Sequence, residues 1–293
     1  MTMKVRVVRN RRTRLSRMPA RCRVVALVSP LVVVLGLAAA GPAAFAVPPV
    51  DEHRGVIQTQ ENNCFETNDR RPVLLPQADA YVPDRYTVRS FPAPPPPAWL
   101  GTPGVPTASV GFIDYVCESL SVNGHRPRPT IVSIGTVLVT RDNANATYVL
   151  WVGTDNPLLF ARLKQLGVKT YFIPRSSYGE TTNELGQRVI TVDYVGAGPT
   201  GLNYTRTITV LTTPVGPTSQ SVGTFYHLGR NGEVRFRWLN TTLPTGTANV
   251  CFEVGPESIP TDYGITSFCF PSPRPFFRGS WTGTHELLGA GGG

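Results

Sequence analysis

Lysine is almost missing from this 293-residue chain: Lys4, Lys164 and Lys169 stand against twenty-five arginines, and the first fifty residues contain no acid at all. No Cys-x-x-Cys pair and no H-E-x-x-H spacing occurs, and the four histidines (His53, His125, His227, His285) are scattered. Nothing here suggests a metal site, and no cofactor is expected. A G-x-S-x-G nucleophile elbow is also lacking, which removes the serine hydrolases that depend on it. Gly196 to Gly201 matches G-x-G-x-x-G. Pro199 and the strand-like run after it remove the helix that would meet a pyrophosphate, so a hairpin loop is the expected structure.

What the N-terminus does contain is nine basic residues before Val24, followed by an apolar stretch to Ala40 and the small residues Ala44 and Ala46 around Phe45. This is the pattern of a removable export signal over residues 1–46, with the secreted chain starting at about Val47. Pro30 and Gly36 interrupt a stretch already short for a bilayer span, so no stable membrane span is expected after removal. Nine of the 28 basic residues and none of the 19 acids go with the leader. The rest is charge-balanced, and the formal charge of +9 is no argument for nucleic-acid binding.

Four cysteines remain after the leader: Cys64, Cys117, Cys251 and Cys269. In an exported chain an even set reads as two disulfides, and the favoured pairing is Cys64 with Cys117 and Cys251 with Cys269. The expected location is extracellular or the cell envelope.

Residues 47–106 read as an irregular segment ending in the proline run Pro92 to Pro97, packed onto the main part of one β domain, 107–293. Nine apolar, β-branched runs follow, at 109–115, 130–140, 146–152, 169–173, 188–195, 205–212, 224–228, 233–239 and 249–254. Turn residues separate them, which predicts a mostly β fold, a closed antiparallel barrel or cone. One amphipathic helix is expected at about 156–166. Thr154-Asp155-Asn156-Pro157 supplies a cap and a first-turn proline, Leu159, Phe160, Leu163 and Leu166 share a face, and Gly167 stops it.

Lys169 follows that stop and enters the apolar run Val168 to Ile173. An amine held there loses solvation, its pKa falls, and it becomes nucleophilic toward carbonyls. Glu118 and an arginine, Arg71 or Arg85, are the acid and cation that would handle a keto acid beside it. His227, in the strand-like Thr224 to Leu228, reads as a core histidine or as an acid or base in a cavity.

Four pieces resemble the acetoacetate decarboxylase-like superfamily: Tyr81 to Tyr86, Asp114 to Glu118, Thr154 to Lys169 with the helix between, and the strand-rich part through His227. The resemblance implies a closed β fold around an interior cavity and a lysine Schiff-base lyase or decarboxylase of a small keto acid, with Lys169 the nucleophile, Glu118 the acid and Arg85 the cation. The chain departs from the family in having one lysine after the helix instead of two, and in placing Glu118 one residue further from Tyr115. The missing second lysine and the extracellular address favour an alternative, a non-catalytic secreted β protein that binds a small ligand or belongs to the envelope.

Overall fold

The computed structural model describes residues 55–91, 105–195, 201–213, 216–242, 246–255, 258–262, 265–270 and 273–288. The leader, the proline run and most of the Gly196 to Gly201 segment lie outside them. Among the described residues the strands are β1 (Val56–Leu74), β2 (Thr87–Val88), β3 (Thr107–Val122), β4 (Arg128–Arg141), β5 (Ala144–Thr154), β6 (Thr170–Phe172) and β7 (Arg175–Thr182). They continue as β8 (Arg188–Val195), β9 (Asn203–Thr212), β10 (Ser219–Gly229), β11 (Gly232–Thr242), β12 (Gly246–Val254), β13 (Phe268–Cys269) and β14 (Arg274–Leu288). Three helices accompany them, α1 (Leu75–Asp79), α2 (Pro157–Gln165) and α3 (Ile259–Asp262). None is long and apolar enough to cross a membrane.

All nine expected runs form strands, and the sheet they belong to runs in the order β1-β3-β4-β5-β10-β11-β14-β12-β9-β8-β7, with β6 beside β5. Pairing of β1 with β14 closes the first seven of these into a ring, and β12, β9, β8 and β7 form a wing that leaves it at β14. The hairpins at Asn123-Gly124 and Asp142-Asn143 have positive φ at both central residues, the geometry that matches strand twist and that Asn, Asp and Gly adopt at least strain. On the far side of the Gly196 to Gly201 segment the chain continues as β9, with Asn203 opposite Val195, so a strand and not a helix follows it.

Two expectations need correction. The ring is not wholly antiparallel, because β5 meets β10 in parallel at Tyr148 and Tyr226 and also takes β6 in parallel. Nor is the segment before Phe91 irregular, since β1 is a 19-residue strand paired on both sides. Its buried positions include Thr59, Glu61, Thr67, Asp69 and Arg71 beside Ile57, Cys64 and Val73, so the alternation that marks a strand is largely polar and carries little hydrophobic signal. The same holds for the fifteen residues of β14, where glycine and polar residues interrupt the apolar ones.

The ring strands have a core on each face. One is built from β1, β3, β4, β5, β11 and β14, with Leu159, Leu163 and Leu166 at α2. The other joins the opposite faces of β3, β4 and β5 to the wing through residues such as Phe112, Trp151, Tyr194, Val210 and Phe252. Helix α2 forms as its cap predicts: the Asn156 side chain accepts from the N–H groups of Leu158 and Leu159, and Gly167 leaves the helix with φ of +88°.

Disulfides join Cys64 to Cys117 across β1 and β3, and Cys251 to Cys269 across β12 and β13. They close loops of 53 and 18 residues, worth about 4 and about 3 kcal/mol of unfolded-chain entropy. Two such bridges fit an oxidising compartment.

Candidate functional site

The strand β1 changes face in its middle. Asn63, at φ of +49°, is an extra residue that shifts the register between Glu61 and Cys64. Before it, Ile57, Thr59 and Glu61 point into the ring core; after it, Cys64, Glu66 and Asn68 do. The bulge therefore turns two carboxyls, five residues apart, toward one chamber of about 80 Å³.

Strands from around the ring complete the walls. Tyr115 comes from β3, Phe225 from β10, Trp238 from β11 and Trp281 from β14, with the amides Asn68 and Asn240 among them. Gly223, Phe225 and Asn240 are half-buried and form the rim, whereas Glu61 is 2% and Trp281 4% exposed. Tyr115 and Trp281 pack at 6.0 Å, and Trp238 is bracketed by Phe225, Phe236 and His285 at 5.1 to 5.6 Å.

Burial sets the ionisation of this chamber. It pushes the Glu61 carboxyl up to about 8, against the hydrogen bonds from Thr59 (2.9 Å) and Trp238 that favour its charge, and the neighbouring Glu66 adds to the rise. Glu66 is raised by burial to about 7, with Arg206 pulling the other way. At neutral pH Glu61 is mostly a neutral acid. His285 is lowered by burial to about 3 and is neutral as well. Glu61 also sits with the sulfurs of Cys64 and Cys117, but both sulfurs are consumed in the disulfide and are no thiolate ligands for a metal.

On the opposite face of the same strands, Arg206 of β9 is completely buried between Asp69 of β1 and Asp114 of β3. Arg274 reaches Asp69 at 3.2 Å, and the Tyr204 hydroxyl donates to Asp114 at 2.6 Å. This network ties the wing to the ring.

Lys169, Glu118 and Arg85 are not joined to one another by any hydrogen bond or ion pair among the described residues. Lys169 is exposed at the entry to β6, its ammonium 5.5 Å from the Tyr81 ring and 5.9 Å from that of Tyr171. Burial lowers its pKa, and Asp262 opposes that. Glu118 is exposed on β3, three residues from the inward-facing Tyr115 and so on the other side of the strand, as its odd spacing requires. Arg85 is 47% exposed and pairs at 3.3 Å with Glu233, which Arg141 and the Tyr86 hydroxyl also hold.

His227 has a structural post. The Lys169 N–H donates to its Nε2 (3.2 Å) and its Nδ1 meets the Val149 carbonyl (2.8 Å), so both ring nitrogens are taken by backbone. Burial lowers its pKa, in keeping with a neutral ring protonated on Nδ1. Sequence reasoning missed Glu61 and Glu66 because the segment was read as irregular. The usable signal was two acids on either side of a cysteine inferred to be paired.

No protein-family model and no curated protein matches this chain. Solved structures do. Acetoacetate decarboxylase from Legionella pneumophila is 10% identical with a TM-score of 0.46, over 80% of this chain and 86% of that one. The enduracididine biosynthesis enzyme MppR complexed with pyruvate is 12% identical with a TM-score of 0.46, over 86% and 99%. An acetoacetate decarboxylase-like enzyme from Sphingomonas wittichii is 9% identical with a TM-score of 0.44, over 80% and 93%. The chain thus resembles acetoacetate decarboxylase-like proteins at low specificity.

Proposed function

We propose that this is a secreted small-ligand-binding β protein whose ligand occupies the chamber walled by Glu61, Glu66, Tyr115, Trp238 and Trp281. One observation carries the reading: two acids are held next to each other inside an aromatic ring core, where desolvation works against both, while the lysine capable of covalent chemistry stands outside it. Buried acids without a cation partner oppose folding, and a core designed only for stability fills such positions with apolar groups. A site that keeps them retains polar groups for something that enters.

Gly223 provides the test. It lies two residues from Phe225, on the same face of β10, and a Cβ there makes only ordinary contacts, 3.7 Å at the nearest. Gly223→Leu is expected to fill the chamber with little strain. Fluorescence of Trp238 and Trp281, titrated with a panel of small amines, alcohols, amides and acids, should show saturable changes in the parent and none in Gly223→Leu. Equal responses from the two proteins would place the ligand elsewhere.

A second reading keeps Lys169 as the nucleophile of a Schiff-base lyase acting on a small keto acid, with Glu118 as acid and Arg85 as cation. What favours it is the lowered pKa of the Lys169 amine. In that chemistry the free amine adds to the keto carbon, water leaves, and the iminium accepts hydride from borohydride. The chamber reading expects borohydride with a panel of keto acids to leave Lys169 unmodified. A reduced adduct on Lys169 by mass spectrometry, lost in Lys169→Arg, would move the function to the lysine.

A further inference from the structure

The chamber offers more than two acids. Among the described residues the Trp281 indole N–H has no acceptor, although the residue is 96% buried, and the Asn240 side-chain oxygen has no donor. Both residues line the chamber with Glu61 and Glu66, so a donor, an acceptor and two carboxyls are left without a full set of partners in one small aromatic space. Among the described residues the cation that acts on either acid is Arg206, and its guanidinium is engaged by Asp69 and Asp114 on the other face of the sheet. The chamber thus has the negative groups of a cation site without a cation of its own.

Resting on the ligand-binding reading above, we propose that the chamber takes a small protonated amine that also carries an oxygen: the ammonium between Glu61 and Glu66 with the Asn240 oxygen, the ligand oxygen accepting from Trp281. The surrounding rings favour the cation further, since the faces of Trp and Tyr attract ammonium groups, most strongly where water is excluded. A volume of about 80 Å³ limits the ligand to a few heavy atoms. A neutral ligand would leave both acids without a cation in the chamber, and a larger one would not fit without moving Phe225 at the rim.

Binding is coupled to protons, because an entering ammonium favours the ionised acids. Around the pair stand Tyr115, held neutral by burial and by both glutamates; His285, neutral behind Trp238; and Arg206, whose two terminal nitrogens are held by Asp69 and Asp114. The groups that change charge between pH 6 and 8.5 are therefore Glu61 and Glu66 themselves.

The test compares ethanolamine with ethylene glycol, a neutral compound of the same size, and with propylamine, which lacks the oxygen. Binding is followed by calorimetry and tryptophan fluorescence on the full secreted chain at pH 6 and pH 8.5. Ethanolamine is expected to bind at least tenfold more tightly than ethylene glycol, more tightly at pH 8.5 than at pH 6, and more tightly than propylamine. Glu61→Gln and Glu66→Gln, each checked for folding by circular dichroism, should each weaken ethanolamine at least tenfold. Equal affinity for ethanolamine and ethylene glycol, or full ethanolamine affinity in both variants, would overturn the amine proposal and leave a ligand chamber of another specificity. If neither these probes nor the wider panel binds, the ligand-binding reading falls with it.

Discussion

Arg206→Ala is expected to be among the most damaging single substitutions in this protein, with a loss of about 3 to 5 kcal/mol in urea unfolding. Arg206 is completely buried and is held by Asp69 and Asp114, which come from two ring strands, while Arg206 itself comes from the wing. Truncation leaves Asp114 with the Tyr204 hydroxyl and Asp69 with Arg274, so two carboxylates stay buried with fewer partners than their charge requires. Domains are stable by only about 5 to 15 kcal/mol, and a loss of this size takes a large part of that margin. Arg206→Lys keeps the charge but not the fork that reaches both acids, so it should recover only part of the loss. Equal stability of Arg206→Ala and the parent would mean that the network is not what joins the wing to the ring.

Glu61→Gln is expected to act in the opposite direction, and only at higher pH. The folded carboxyl titrates at about 8, above the ordinary value of 4.5, so the folded state holds a proton that the unfolded chain releases between those two values. The stabilisation this gives is complete below about pH 4.5 and is lost progressively as pH rises to about 8. At about 1.4 kcal/mol per pH unit, the full span amounts to on the order of 5 kcal/mol. The glutamine variant has no proton to lose there. It should match the parent at pH 4.5 and exceed it in urea unfolding at pH 8.5. Glu66, raised to about 7, adds a loss of the same sign that remains in the variant. His285 works from the acid side: its folded value near 3 lies below the usual 6.5, so stability falls as pH drops through that interval. Parallel stability curves for parent and Glu61→Gln from pH 5 to 8.5 would show that Glu61 is ionised in the folded protein.

The two substitutions probe opposite faces of the same strands, and Glu66 connects them. Arg206 restrains the pKa of Glu66. Loss of Arg206 should therefore raise that carboxyl further, so the wing network influences how readily the chamber accepts a cation.

Much of this fold was legible in the sequence, for reasons that are local. The β-branched runs of β3, β4, β8, β9 and β12 carry their own strand signal. Asn156-Pro157 and Gly167 start and stop α2 within its own residues, and the cysteines that pair lie on adjacent strands. Strand β1 was not legible, because its buried faces hold acids, arginine and threonine with partners far along the chain, as Arg274 is for Asp69 at 205 residues. The site was less legible still. Lys169 stood out by rarity, yet whether an amine is enclosed or wet depends on Tyr81, Tyr171 and Asp262, which no local pattern brings to it. Glu61 and Glu66 looked ordinary. Only a one-residue bulge at Asn63, and the closure of β1 against β14, put both inside a ring of aromatic residues where burial changes their charge. Sequence by itself determined the strands with β-branched runs, helix α2 and the disulfide pairs, since these rest on backbone preference and on neighbours in the chain. Tertiary structure alone decided which polar groups left water, and desolvation is what turns a carboxyl into a binding group.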